Sequence, residues 1–445
     1  MPIHSDFDWN EFSHYWQIQK DSTYLNHGSF GPSPLVVQEK RKELLAELEA
    51  QPMEFLIRTT PLLMAEATQA LAAFLNCERD NIAFVPNATE GMNIVAKNVE
   101  LIAGDEVLIT DHEYGSVLRI WKNKCRQTGA VTTLARLPKT LDTTEEVVEA
   151  IFAAVTEKTK VIVVSHITSA TAVILPVKEI CDRAKKQKII VVIDGPHAPL
   201  HVDVNLRSID PDFYCASTHK WLSAPMGTGF LYVRSRHKQG LQPNALSWGR
   251  SLQGDTPSWT DEFHWPGTFD PSGYLSIPTA INFFKKIGLK RFREQTHALA
   301  RYARSRLLEF TTREPLSIDS DQWYGSMITV PFDPGLAPDL RPGEPHPLQK
   351  WLATEHGFEV PVFDWHGEWY LRVSCHLYNS PEQIDRLIDL LRAWTQNLAV
   401  GWVQRSGTQQ ISGVTQELFQ LQTKIVGLRT YLLRSNCNVK SILKL

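Results

Sequence analysis

Between residues 82 and 234 the chain repeats one pattern: a short apolar run, then a stretch with helical periodicity. The runs are IAFVP, EVLIT, VTTLARL, KVIVVSH, IIVVID, FYCAS and GFLYV. Strands this uniformly apolar, separated by helices, predict an α/β architecture with a mostly parallel sheet covered on both faces. The same architecture constrains function, because ligands gather where strands end and helices begin.

The pattern changes after residue 275. A long helical stretch over 276–312 precedes SMITVPF, a helix near 346–356, the strands FEVPVF and WYLRVS, and a helix opened by NSPEQIDRLIDLLRAW. Fewer strands in this alternation suggest a smaller α+β domain, and Asn379-Ser380-Pro381 matches a capped helix start with proline in the first turn. The expected organisation is an arm over 1–19, a large domain over 20–275, a small domain over 276–397 and a basic tail over 398–445. In the tail, Leu418, Leu421, Ile425, Leu428 and Leu432 recur at helical spacing, which suggests an amphipathic packing helix.

Composition narrows the class of function. A net charge of -3 argues against nucleic acid or a membrane surface as the main partner, since both favour a concentrated basic field. The six cysteines (Cys77, Cys125, Cys181, Cys215, Cys375 and Cys437) have no paired-motif spacing, so neither a disulfide framework nor a metal site is indicated. With no leader-like start and no apolar run of membrane-spanning length, a cytoplasmic protein is expected.

Three segments could carry chemistry. Lys220 lies in YCASTHKWLSAPMGTGFLYVR, behind a small-polar run and ahead of a Pro/Gly-rich turn. Lysine is rarely buried, so one held between apolar strands implies a covalent or ionic partner. Upstream, VVIDGPHA closes an apolar strand with Asp194 and breaks at Gly195-Pro196, which places a carboxylate at the ligand edge. A structural salt bridge explains that pair equally well at this point. The third segment, FVPNATEGMNIVAKN, reads as a strand, a turn and a helix whose first turn would offer backbone N–H groups and the Thr89 hydroxyl to an anion. Asn87 or Thr89 could equally be an ordinary N-cap. No dinucleotide or nucleoside-triphosphate fingerprint is present. An anion cradle, a carboxylate and an imine-forming lysine together meet the needs of pyridoxal 5'-phosphate.

At this point the chain resembles a known family. NATEGMN, DHEYGS, SHITSATA, IDGPHA, STHKW, PGTFD and LRVSCHLYNSPEQIDRL occur in the order and approximate spacing of the class V aminotransferases, pyridoxal-phosphate enzymes of fold type I. The resemblance covers roughly residues 20 to 397. YLNHGSFGPSP and the tyrosine of DHEYGS look most like its isopenicillin N epimerase branch. It implies that Lys220 is the lysine joined to the cofactor and Asp194 the carboxylate facing the pyridine nitrogen. Ser217, His219, Thr89 and the backbone of Ala88 match phosphate contacts, and His197 stands beside the ring hydroxyl. Tyr114 falls where relatives stack an aromatic ring on the pyridine. Thr268 matches a phosphate contact from a second subunit, which implies a homodimer with a shared site. Arg372 matches the grip on a substrate α-carboxylate, a role its planar fork suits; an inter-strand salt bridge is the alternative. Asn26 and His27 are expected near the substrate, with no role assigned.

Two departures bear on the reaction. Ser169 occupies a position where several desulfurase relatives have asparagine, and no cysteine occurs between Cys215 and Cys375. Desulfurases need a mobile thiolate ahead of the carboxylate-binding arginine; Cys375 reads as a core residue. Epimerisation at Cα is therefore the leading expectation. Carbon–sulfur lysis resembling hercynylcysteine sulfoxide lyase, transamination, and a non-catalytic binding protein stay open, the last weakened by the presence of Lys220, Asp194 and Arg372.

Overall fold

The computed structural model describes residues 7–249, 258–335, 340–341 and 344–406. The tail expectation over Leu418–Leu432 lies outside the described residues. In chain order the strands are β1 Thr23–Tyr24, β2 Ile82–Val85, β3 Glu106–Thr110, β4 Val131–Ala135, β5 Thr159–Ser165, β6 Ile190–Asp194, β7 Phe213–Ser217, β8 Gly229–Val233, β9 Met327–Pro331, β10 Phe358–Glu359, β11 Val362–Trp365 and β12 Glu368–Ser374.

The seven apolar runs form one seven-stranded sheet in the order β2-β8-β7-β6-β5-β3-β4. β4, β3, β5, β6 and β7 are parallel neighbours, and β8 runs antiparallel to both β7 and β2. Two antiparallel pairings in succession turn β2 back into the common direction. Consequently β2, β3, β5, β6 and β7 all end at one edge, and Ser165, Asp194 and Cys215 stand side by side across it.

The helices pack as the apolar content of the strands demands. All of β7 and β8 is buried. The Ala88–Asn98 helix lays Met92, Ile94 and Val95 onto this core, and Gly91 lets it approach β7 so closely that a Cβ there would sit 3.3 Å from the Cys215 sulfur. Asn87 caps this helix, its side chain accepting from the Glu90 N–H at 2.9 Å.

β11, β12 and β9 make a second, antiparallel sheet, with Arg372 paired to Thr329 in its register. The expected single helix over 276–312 is two, Ile277–Ile287 and Leu289–Thr311. Gly288 between them holds a φ of +97°, a conformation that ends a helix and favours glycine. Near the start of the chain, β1 pairs parallel with β10, and Asn26 then bridges to Ser374. That pairing carries the early segment to the end of β12. No helix among the described residues is long and apolar enough to cross a membrane.

Gly195 follows Asp194 without room for a side chain, since an added Cβ would collide with the Tyr214 ring and hydroxyl. Gly195→Ala should therefore cost roughly 1–3 kcal/mol through overpacking at the strand end, read as a lower urea midpoint; an unchanged midpoint would show that Tyr214 gives way freely.

Candidate active site

The loops leaving the common edge bring the chemical groups together. Lys220, three residues beyond β7, is half-buried, and its Nζ lies 3.1 Å from His197 Nε2. On the other side of that ring, the Trp221 indole N–H donates to His197 Nδ1 at 3.3 Å. An indole nitrogen only donates, so Nδ1 carries the lone pair and the proton of neutral His197 sits on Nε2. An ammonium has no lone pair to accept it, so the contact requires the neutral amine. Burial first, then the Arg372 charge, lowers Lys220 to about 7, against the pull of Asp194. Burial, with the Lys220 and Arg372 charges next, also holds His197 well below the usual histidine range.

Asp194 is buried at the end of β6. Burial, reinforced by Glu113 and opposed by Lys220, pushes its carboxyl up to about 7. Glu113 is buried in the turn after β3 and accepts from the Ser165 N–H at 2.9 Å, the Ser165 hydroxyl at 2.6 Å and the Thr110 hydroxyl at 2.8 Å. Burial still raises it to about 7. Two raised carboxyls and a lowered amine in one interior region are the mark of a site arranged for proton transfer or for a charged ligand.

The Ala88 N–H opens the 88–98 helix and donates to Ser217 Oγ at 3.1 Å. Thr89 is exposed beside it. His219 is fixed by a 2.8 Å hydrogen bond from Nδ1–H to the Thr228 carbonyl. Thr268 is exposed in the 266–270 loop, which Asp270 ties to Arg41 at 3.4 Å; no contact among the described residues joins it to Ser217 or Lys220.

Arg372 is buried, yet no ion-pair partner is found for it among the described residues. Nη1 donates to the Ser169 carbonyl at 2.6 Å, and Nη2 donates to Ser29 Oγ at 2.7 Å and Asn26 Oδ1 at 3.4 Å. Its Nε is buried without a partner, and burial lowers the guanidinium to about 10. The inter-strand salt bridge is thus absent from the described residues, and an arginine out of water with a donor to spare suits an incoming carboxylate. Tyr114, 51 % exposed, stands just ahead of the Gly115–Thr128 helix, close enough to interact electrostatically with Arg372.

His27 takes a different position from the one its neighbour Asn26 suggests. It is fully buried; its Nε2–H donates to the Lys220 carbonyl at 3.0 Å, and its Nδ1 accepts from the Tyr378 hydroxyl at 2.8 Å. Stacked on His376 at 4.0 Å and lowered by burial to about 3, it braces the lysine's backbone. Cys375 is a buried core residue. Glu113, Ser29 and Trp221 are site residues that sequence reasoning missed. All three lie inside quoted motifs, but nothing in their spacing distinguishes them from turn or packing residues.

Comparison with known proteins identifies the family and the fold. The family described as Aminotransferase class-V matches residues 24–387. The isopenicillin N epimerase of Amycolatopsis lactamdurans is 34% identical over 83% of this chain and 94% of its own length. That of Streptomyces clavuligerus is 33% identical over 87% of this chain and 98% of its own. Among solved structures, the cysteine desulfurase CsdA of Escherichia coli superposes with a TM-score of 0.73 at 21% identity, covering 88% of this chain and 99% of its own. At that identity the likeness shows the fold.

Removing the Trp221 N–H frees His197 to protonate Nδ1 and to accept from a lysine ammonium through Nε2. Trp221→Phe should therefore raise the Lys220 pKa from about 7 toward the ordinary lysine range. The check is the pH at which Lys220 of the cofactor-free protein becomes half-maximally reactive to reductive methylation, mapped by mass spectrometry; an unmoved midpoint would break the link between the indole and the amine.

Proposed function

The chain belongs to the aminotransferase class-V family, and from that premise we propose that this pyridoxal-phosphate enzyme epimerises an amino acid or amino-acid-containing substrate at Cα. The residues fit the cofactor. Asp194 is buried with its carboxyl pushed up to about 7 and has no hydrogen-bond donor to its side chain among the described residues, an environment that a protonated ring nitrogen would complete. The Ala88 N–H and Ser217 hydroxyl meet at the helix N-terminus, where a phosphate is favoured. When bound, the cofactor supplies an aldehyde that joins an amine and a ring that accepts the electron pair left at Cα.

The chain's own groups do the rest. Lys220 offers an amine whose lowered pKa of about 7 suits it to take a proton from Cα near neutrality. His197 presents its Nε2–H on the same side and would reach the ring hydroxyl. Arg372 would grip the α-carboxylate through its fork while Ser29 and Asn26 hold the guanidinium in place. Epimerisation needs a second proton donor on the opposite face. Tyr114 is our choice, because it is exposed and lies within electrostatic reach of Arg372, whereas both His27 nitrogens are occupied. His219 and Thr89 are assigned to the phosphate region, and Thr268 to the phosphate of a neighbouring subunit.

The observation that carries the reading is the neutral Lys220 amine held against His197, within the electrostatic reach of an arginine for which no carboxylate partner is found among the described residues. Desulfuration is disfavoured because no cysteine stands between Cys215 and Cys375 to attack a substrate sulfur. In D₂O, L-amino acids should exchange the Cα hydrogen and accumulate the D-isomer; pyruvate and a sulfur product from cysteine S-conjugates, without D-isomer, would replace epimerisation with lysis. Arg372→Ala should weaken substrate capture by about 2 to 5 kcal/mol, as when one partner of a charged pair is removed, seen in KM; an unaltered KM would move the carboxylate site elsewhere.

A further inference from the structure

Glu113 is a buried carboxyl for which the proposed reaction has no use. From the turn after β3 it reaches across to β5, where its oxygens accept from the Ser165 N–H at 2.9 Å and the Ser165 hydroxyl at 2.6 Å, with the Thr110 hydroxyl at 2.8 Å. Ser165 is the register partner of Asp194 on β6. Paired residues of neighbouring parallel strands point to one face of the sheet, roughly 4.8 Å apart. Glu113 thus meets Asp194 across one serine hydroxyl and one strand spacing. The strand ends are held together there, because the His166 N–H donates to the Asp194 carbonyl at 2.9 Å.

Two carboxyls this close, in an interior region, do not both ionise readily. Burial pushes each of them up to about 7, and at Asp194 the Glu113 charge adds to burial while Lys220 opposes it. The donors decide which of the two becomes the anion, since hydrogen bonds to a carboxylate favour its charged form. Glu113 accepts three, and the Asp111 charge opposes it less than those donors favour it. No donor to the Asp194 carboxyl is found among the described residues. The other titratable neighbours stay out of this exchange near neutrality: burial brings His112 and His166 down to about 4 and keeps the Tyr214 phenol and the Cys215 thiol well above their usual ranges.

We propose that Glu113 is a positioning residue that acts on the cofactor through Asp194. As the anion clasped by Ser165 and Thr110, it keeps Asp194 protonated in the empty site. With Asp194 ionised against a protonated ring nitrogen, it supplies a second negative charge behind the first. The pair therefore favours a proton in the space between Asp194 and the ring, which is where an electron-accepting pyridine needs one. This rests on the reading that Asp194 faces the ring nitrogen.

Two measurements test it, on the natural chain and on Glu113→Gln and Ser165→Ala variants. In the cofactor-free full chain, with aspartate side-chain carboxyls labelled with carbon-13, infrared spectra taken across pH follow the C=O stretch of a protonated aspartic acid, assigned by its loss in Asp194→Asn. In the protein loaded with pyridoxal 5'-phosphate labelled with nitrogen-15 in the ring, the nitrogen chemical shift gives the pH at which the ring is half protonated. Glu113→Gln should lower both midpoints by about one pH unit or more, tenfold in proton affinity. Ser165→Ala, which keeps both carboxyls, should lower the aspartate midpoint and bring up a protonated glutamic acid signal near neutrality in a glutamate-labelled sample. An aspartate midpoint unmoved in the variants that fold overturns the proposal. A lowered aspartate midpoint with an unmoved ring nitrogen upholds the carboxyl pair and overturns the pairing of Asp194 with the ring, so the two fail separately.

Discussion

Holding one amine and one carboxyl group largely away from water, in and just beyond the ends of neighbouring strands, is the constraint on which the rest of the structure depends. Burial alone makes either charge unfavourable. It lowers Lys220 and raises Asp194, both to about 7, and neither is locked in a contact that would restore an ordinary value. A simple buried salt bridge would press the two pKa values apart. Here they converge, so the interior is kept ready for a ligand that brings its own charge and its own carbonyl carbon.

The surrounding parts serve that arrangement. The sheet sets Asp194 beside Cys215, Gly195 lets the chain turn against Tyr214, and Trp221 orients His197 so that its proton faces the lysine. His27, far away in sequence, reaches the same place because β1 joins β10, and from there it holds the backbone of Lys220. Arg372 comes from the second sheet. The site is thus assembled from the early segment, the large sheet and the antiparallel sheet, with Asn26, Ser29 and Ser169 holding the arginine.

Much of this was legible in the sequence for a physical reason. Uniformly apolar strands such as IIVVID and GFLYV read as doubly covered, and a carboxylate closing such a strand must sit at its ligand edge. Asp194 and Lys220 follow from that logic, and the family resemblance added roles for His197, Ser217 and Arg372. What was not legible depends on contacts between distant segments. The His27 brace needs the β1–β10 pairing, which two residues per strand cannot announce. Glu113 owes its raised pKa to burial, which outweighs the opposing hydrogen bonds donated by Ser165 and Thr110, and Trp221 looks like any core aromatic. The helix break at Gly288 was missed because apolar periodicity continues on either side of it.

The account places the cofactor on one amine among many lysines, and that placement can be measured directly. The protein is loaded with pyridoxal 5'-phosphate, reduced with sodium borohydride, digested and mapped by mass spectrometry. The cofactor-derived mass should fall on the peptide carrying Lys220. Attachment chiefly at another lysine, or none above that of a denatured control, would contradict the account.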